Sequence, residues 1–203
     1  METAQAYLQL IREDPYLSPM LASYDLAARH TCGRQVLDLG CGYGWGSYIL
    51  SPHCLTVTGF DPDLERIRFA RQTFHAENAQ YHWDIRSLAG HTYDVVCLFM
   101  VLPHASDPAG LLRQAGSFLK PGGTMWVSFR SDSGRGRERL PDAKGTRGRE
   151  LPILLSQWAM GSGATLIGSK QRYLSLAENL EEQVYHKPLP SHPPTAKDDE
   201  NAL

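Results

Sequence analysis

Between Gln35 and Phe129 short apolar runs alternate with helical stretches, and this alternation limits the fold more than any other feature. Val36-Leu-Asp-Leu, Leu55-Thr-Val-Thr-Gly-Phe, Ala79-Gln-Tyr-His-Trp, Tyr93-Asp-Val-Val-Cys-Leu-Phe and Thr124-Met-Trp-Val-Ser-Phe have strand length and are rich in β-branched and aromatic residues. Trp45 to Leu50, Leu64 to Glu77 and Ala109 to Leu119 separate them and can form helices. Strands joined through helices pair in parallel, and the crossovers cover both faces of the sheet. Lys120-Pro-Gly-Gly123 is expected to be the turn that ends the last of these helices.

Two helices are expected ahead of the first strand. Residues 3 to 13 carry Ala6, Leu8, Leu10 and Ile11 on an amphipathic pattern that Asp14-Pro15 stops. Pro19 to about His30 follows, with Ser18 as its N-cap. Beyond Phe129 come a Gly- and Arg-rich stretch, Arg130 to Glu150, and an apolar helical run, Pro152 to Met160. Ala164 to Leu174 and Glu182 to Lys187 are strand candidates that would close the sheet as an antiparallel pair. The expected fold is α/β: a three-layer sandwich with a mostly parallel seven-stranded sheet, an antiparallel closing strand and helices on both faces. One domain would span 1–187, with helices in 1–31 and a flexible basic loop at 130–150, and 188–203, rich in Pro and charge, would be a disordered tail.

A formal charge of -2 and a charged fraction of 21% favour neither a nucleic acid nor a membrane partner. No run of about 18 apolar residues occurs and Met1-Glu-Thr-Ala-Gln has no basic start, so a cytoplasmic location is expected. Cys32, Cys41, Cys54 and Cys97 form no Cys-x-x-Cys pair and read as reduced, mostly buried thiols, without zinc or disulfides. No metal site is expected.

The first strand runs into Asp38-Leu-Gly40-Cys41-Gly42-Tyr43-Gly44. Glycines so spaced make a sharp strand-to-helix turn whose backbone a ligand can approach closely. The dinucleotide fingerprint G-x-G-x-x-G is not met, because Trp45 and Ser47 occupy the positions where its last glycine would fall.

This segment resembles the first motif of the class I S-adenosylmethionine-dependent methyltransferases, Rossmann-like proteins, and within them the type 11/12-like group. The resemblance covers about residues 16 to 130 and continues at Gly59-Phe-Asp61-Pro62-Asp63, Trp83-Asp84-Ile85, Tyr93-Asp-Val-Val and Leu119-Lys-Pro-Gly-Gly123. It implies S-adenosyl-L-methionine as cofactor and S-adenosyl-L-homocysteine as product. Gly40, Cys41, Gly42 and Gly44 would take the methionine end, with Asp38 supporting it. Asp61, about 20 residues after the glycines, would accept hydrogen bonds from ribose hydroxyls. Asp84 would accept from the adenine amino group, with Ile85 nearby and Pro62 or Leu64 against the ring; Phe99, ending strand four, completes the implied set.

Methyl transfer needs alignment of a nucleophile and, for many acceptors, removal of its proton. Strand four exits through Met100-Val-Leu-Pro103-His104-Ala-Ser-Asp107-Pro108. Many relatives show Leu-Glu-His or Leu-His-His here, so Pro103 stands at the acidic or second histidine position. His104 is the candidate general base, since imidazole titrates near neutrality; capping the next helix or packing over the cofactor are its alternatives. Tyr16, Tyr24 and Tyr43 either border the pocket or pack. From Arg130 to Arg149 seven basic side chains stand against three acidic ones. In a loop overhanging the carboxyl ends of the strands, Arg135, Arg137 and Arg139 would recruit an anionic small substrate, unless the loop is an insertion with no substrate role.

The absence of an Asn-Pro-Pro-Tyr run argues against methylation of exocyclic base amines. The expected function is methylation of a small, anionic metabolite, with oxygen the favoured acceptor. The alternatives are an RNA methyltransferase using the Arg/Gly-rich loop, or a non-catalytic cofactor-binding partner subunit. A small-molecule acceptor is the partner expected, with no membrane and a nucleic acid disfavoured; the oligomeric state is not legible in the sequence.

Overall fold

The computed structural model describes residues 2–15, 17–132, 150–162, 165–173 and 178–188. The alternating segments become β1 (Gln35–Leu39), α3 (Trp45–Leu50), β2 (Thr56–Phe60), α4 (Leu64–Thr73), β3 (Ala79–His82), β4 (Tyr93–Phe99), α5 (Pro108–Ser117) and β5 (Leu119–Asp132). Helices α1 (Glu2–Glu13) and α2 (Ser18–Ala28) precede them, and α6 (Leu151–Ser162), β6 (Thr165–Tyr173) and β7 (Glu178–His186) follow. The sheet order is β3-β2-β1-β4-β5-β7-β6. From β3 to β5 every neighbouring pair is parallel, whereas β7 lies antiparallel between β5 and β6. The order reverses at β1, and the crevice above its carboxyl end is where open α/β sheets bind ligands.

Two apolar cores make the three layers. Val36, Val57, Val95, Cys97 and Trp126 face Leu8, Tyr24, Leu50 and Ile67 of α1 to α4. The alternate positions Leu37, Leu39, Val96, Leu98, Met125 and Val127 face Leu112, Ala115, Leu151 and Leu155 of α5 and α6. The period of two along each strand sorts its side chains between these cores. Asp38 shares the face of Val36 and so enters the first core as a carboxylate.

Several boundaries differ from the sequence reading for local reasons. Helix α2 begins at Ser18, so that Leu17 and not Ser18 is its N-cap and no side chain caps it; the Asp14 carboxylate accepts from Leu17 N (3.0 Å) and turns the chain there. Helix α4 stops at Thr73, not Glu77: Phe74 leaves helical geometry to bury its ring. Lys120-Pro-Gly-Gly123 is a bulge within β5 rather than a turn ahead of it, since Tyr93 pairs with Leu119 and Val95 with Thr124. Lys187 closes that bulge, its carbonyl accepting from Gly122 N (3.0 Å) and its N–H donating to Gly123 O (2.9 Å). Strand β7 starts at Glu178 instead of Glu182, so that the ladder with β5 reaches Asp132. Cys41 and Cys97 are buried, but Cys32 is exposed. No described helix is long and apolar enough to cross a membrane.

Candidate functional site

Between β1 and α3 three glycines adopt positive φ: Gly40 (90°), Gly42 (56°) and Gly44 (86°). The amides of Gly40 and Cys41 both donate to Phe60 O (2.7 and 2.9 Å), which ties the loop to the end of β2. A Cβ on Gly40 would strike the Val101 side chain, and one on Gly44 would lie 2.5 Å from Ala70 Cβ. The same addition at Gly42 meets nothing within 4 Å. The loop is therefore packed from beneath at its two ends and open above its middle.

Behind it Asp38 is 1% exposed. Ser47 Oγ donates to its Oδ2 (2.7 Å), and Tyr24 Oη donates to Oδ1 (3.2 Å) and Oδ2 (3.3 Å). Burial pushes its pKa up to about 6, and the bonds from Ser47 and Tyr24 pull the other way. Among the described residues no Lys, Arg or His pairs with it. Tyr24 is thus more than a packing aromatic: its ring meets Phe99 edge-on at 4.7 Å and Trp45 at 5.0 Å, and its hydroxyl serves Asp38. Phe99 directs its ring into this wall. Cys41 is buried too, its thiol Sγ facing Gly42 O and its ionisation pushed far up by burial.

Asp61 closes the β2 side of the crevice at 5% exposure. Its Oδ2 accepts from Gly42 N (3.0 Å) and its Oδ1 from Asp63 N (2.9 Å), so each oxygen keeps a lone pair for another donor. Arg66 stands 3.6 Å from Oδ2 and lies over the Tyr43 ring. Pro62 is exposed beside it. Asp84 accepts from Arg86 N (3.0 Å), capping the short 3-10 turn Ile85–Leu88, and is held two-handed by the Arg86 guanidinium (2.8 and 3.0 Å). These bonds hold its carboxyl below the usual range. A ligand amine reaching Asp84 would share it with Arg86.

At the exit of β4, Met100 is the one non-glycine residue with positive φ (59°) among the described residues, a strained turn into the 3-10 segment Leu102–His104. His104 is exposed there. It does not cap α5: the Asp107 carboxylate accepts from Gly110 N (2.8 Å) and fills that role. Tyr16, Arg135, Arg137 and Arg139 lie outside the described residues, as do 133–149 and 189–203. Ser47 was missed by the sequence reading, for a serine in the first turn of a helix carries no signal that it faces a carboxylate nine residues earlier.

A buried carboxylate with no counter-cation among the described residues, behind an open glycine loop and beside a carboxylate with two spare lone pairs, suits a ligand with a positive charge at one end and a diol further along. The β-sheet order and the turn after β1 define a Rossmann-like nucleoside-cofactor fold. A family model described as a methyltransferase domain matches residues 17–182, and the chain belongs to the class I S-adenosylmethionine-dependent methyltransferases. It is similar to the ubiquinone biosynthesis O-methyltransferase of Xanthomonas campestris pv. campestris, at 32% identity over 118 residues, 55% of this chain and 49% of that protein. The protein of the same name from Methylocella silvestris is 36% identical over 109 residues, 50% of this chain and 42% of that one. The chain thus spans about half the length of the curated relatives it matches. Among solved structures it is similar to the [4+2]-cyclase SpnF (TM-score 0.67, 17% identity, 82% of this chain and 80% of that one). The 1,6-didemethyltoxoflavin-N1-methyltransferase of Burkholderia thailandensis, with S-adenosylhomocysteine bound, gives a TM-score of 0.65 at 20% identity, over 83% of this chain and 78% of that one. At such identities the structures speak for the fold.

Proposed function

We propose that the protein methylates an oxygen of a small, anionic acceptor at the expense of S-adenosyl-L-methionine. The observation that carries this reading is Asp38, an uncompensated carboxylate behind the gap at Gly42. The cofactor, when bound, supplies an electrophilic methyl carbon on a sulfonium. The chain's own residues bind it and order the acceptor. Gly42, with no side chain to fill the gap, receives the methionine end, and Asp38 offsets its positive charge from behind. Asp61 accepts from the ribose diol with its two remaining lone pairs; Asp84, Pro62 and Ile85 border the adenine. Cys41 and Phe99 support the wall.

His104, exposed at the strand-four exit, takes the acceptor's proton. Arg135, Arg137 and Arg139, which follow β5 in the sequence, attract the acceptor's negative group, and Tyr16 is a further candidate for contact with the acceptor. The names of the curated relatives favour oxygen as the acceptor atom.

The reading is tested by incubating the protein with S-adenosyl-L-methionine and a panel of phenols, catechols and carboxylated metabolites and following S-adenosyl-L-homocysteine by mass spectrometry. Turnover with an oxygen acceptor is expected. Cofactor binding without turnover on any acceptor would turn the reading towards a binding subunit. On an acceptor that is turned over, His104→Ala should lower kcat about 100-fold while calorimetry finds the cofactor Kd unchanged. An unaltered kcat removes His104 from the chemistry. Asp61→Ala should weaken cofactor binding at least tenfold, since hydrogen bonds to a charged group contribute about 1.5–3 kcal/mol each. Equal affinity would move the ribose elsewhere.

A further inference from the structure

The Asp38 carboxylate stays ionised in an apolar interior only if something other than water stabilises its charge. The groups that face it are Tyr24 from α2, Ser47 from α3, Cys41 from the glycine loop, Asp61 from the end of β2, Tyr81 from β3 and Cys97 from β4. Burial keeps Tyr24, Cys41, Tyr81 and Cys97 neutral, and Asp61 carries the same sign as Asp38. Two hydroxyls are left to do it. Ser47 is fully buried and donates at 2.7 Å; Tyr24, 3% exposed, donates to both oxygens.

We infer that Tyr24 and Ser47 are positioning residues of the cofactor site, whose hydroxyls hold Asp38 as an anion behind the glycine loop so that helix α2 sets the affinity for a cationic ligand. This rests on the reading of S-adenosyl-L-methionine as that ligand. Helix α2 lies outside the strand–helix alternation, yet its Tyr24 ring fits the first turn of α3 so closely that any Cβ on Gly46 would overlap it. The ring fixes the hydroxyl, and the hydroxyl fixes the charge. Losing either hydroxyl leaves Asp38 with fewer donors in the same apolar surroundings, and protonation becomes its easier state. A protonated Asp38 offers a ligand cation nothing.

The consequence is a pH dependence that a packing role would not produce. Calorimetry with S-adenosyl-L-methionine from pH 5.5 to 8.5 on the full chain should give wild-type affinity that is flat above about pH 7 and falls towards tenfold per pH unit below about 6. Tyr24→Phe keeps the ring against Gly46, Trp45 and Phe99 and removes one oxygen; Ser47→Ala removes the other donor. Each should move the fall to higher pH, so that its loss of affinity is at least threefold greater at pH 6.5 than at pH 8.5. A carboxyl-carbon NMR titration of Asp38 in the ligand-free protein should move upward in both variants. A loss of affinity equal at every pH, or an unmoved Asp38 titration, overturns the assignment. Wild-type protein that binds no S-adenosyl-L-methionine, with Asp38 still titrating higher in the variants, would overturn the ligand and leave the hydroxyls' hold on Asp38 standing.

Discussion

Gly44→Ala should destabilise the protein by about 3–5 kcal/mol, whereas Gly42→Ala should leave it folded and unable to bind the cofactor. Both glycines have positive φ, 86° and 56°, where an alanine costs about 1–2 kcal/mol. What separates them is the surroundings. A Cβ on Gly44 would lie 2.5 Å from Ala70 Cβ and 2.8 Å from Tyr81 Cε1. Neither neighbour can give way easily: Ala70 is fully buried in α4, and Tyr81 is pinned by hydrogen bonds to Phe74 O (2.8 Å) and Gly44 O (3.2 Å). Relief would require α4 to move off the sheet. Gly42 faces open space, so its alanine adds only the backbone term but puts a methyl group into the gap proposed to receive the methionine end of the cofactor. Urea denaturation of the two variants, with cofactor titration of the second, checks both halves. A Gly44→Ala protein as stable as wild type, or a Gly42→Ala protein with unaltered affinity, would contradict this account of the loop.

That loop was readable in advance because its constraint is local. Glycine spacing reports φ directly, and strand–helix alternation reports a parallel sheet, so the tight turn at Gly40, Gly42 and Gly44 and the place of Asp61 just after β2 are legible in the sequence. Features that depend on contacts across the chain are not. Tyr24 is one of three tyrosines that read from sequence as packing residues able to border the pocket, and only the docking of α2 against α3 brings its hydroxyl to Asp38. Glu178 to Glu181 is polar and reads as a connection, but the backbone ladder with β5 recruits it. Strand membership there follows from pairing partners rather than from hydrophobic pattern. Lys120-Pro-Gly-Gly123 carries the composition of a turn, but the ladder with β4 resumes on both sides and makes it a bulge within β5. Asp84 was read as an open acceptor; the arginine two residues on, which grips it, has no signature distinct from any exposed Arg.

The buried charge proposed to hold the cofactor's cation should weaken the ligand-free fold, and Asp38→Asn exposes this conflict. Asp38 ionises at about 6 in the folded protein against an ordinary value of 3.8, with burial the largest cause. An acid whose folded-state pKa is raised binds a proton more tightly when folded. Unfolding therefore releases protons between about pH 4 and pH 6, and stability falls as pH rises through that window and stays lower above it. At roughly 1.4 kcal/mol per pH unit the cost at pH 7 is about 3 kcal/mol. Asparagine has nearly the same shape and no charge to desolvate. Asp38→Asn should then be more stable than wild type at pH 7 to 8, by up to about 3 kcal/mol in urea denaturation, with the gain vanishing near pH 4, where wild-type Asp38 is already protonated in the fold. Its affinity for S-adenosyl-L-methionine should drop at least tenfold, and the acid limb of the binding profile should disappear. A gain in stability independent of pH would point to packing instead of charge. No gain at pH 7 would mean that the hydroxyls of Tyr24 and Ser47 already offset the whole cost of burying the carboxylate, and that the cation is bound by other groups if affinity is also unchanged.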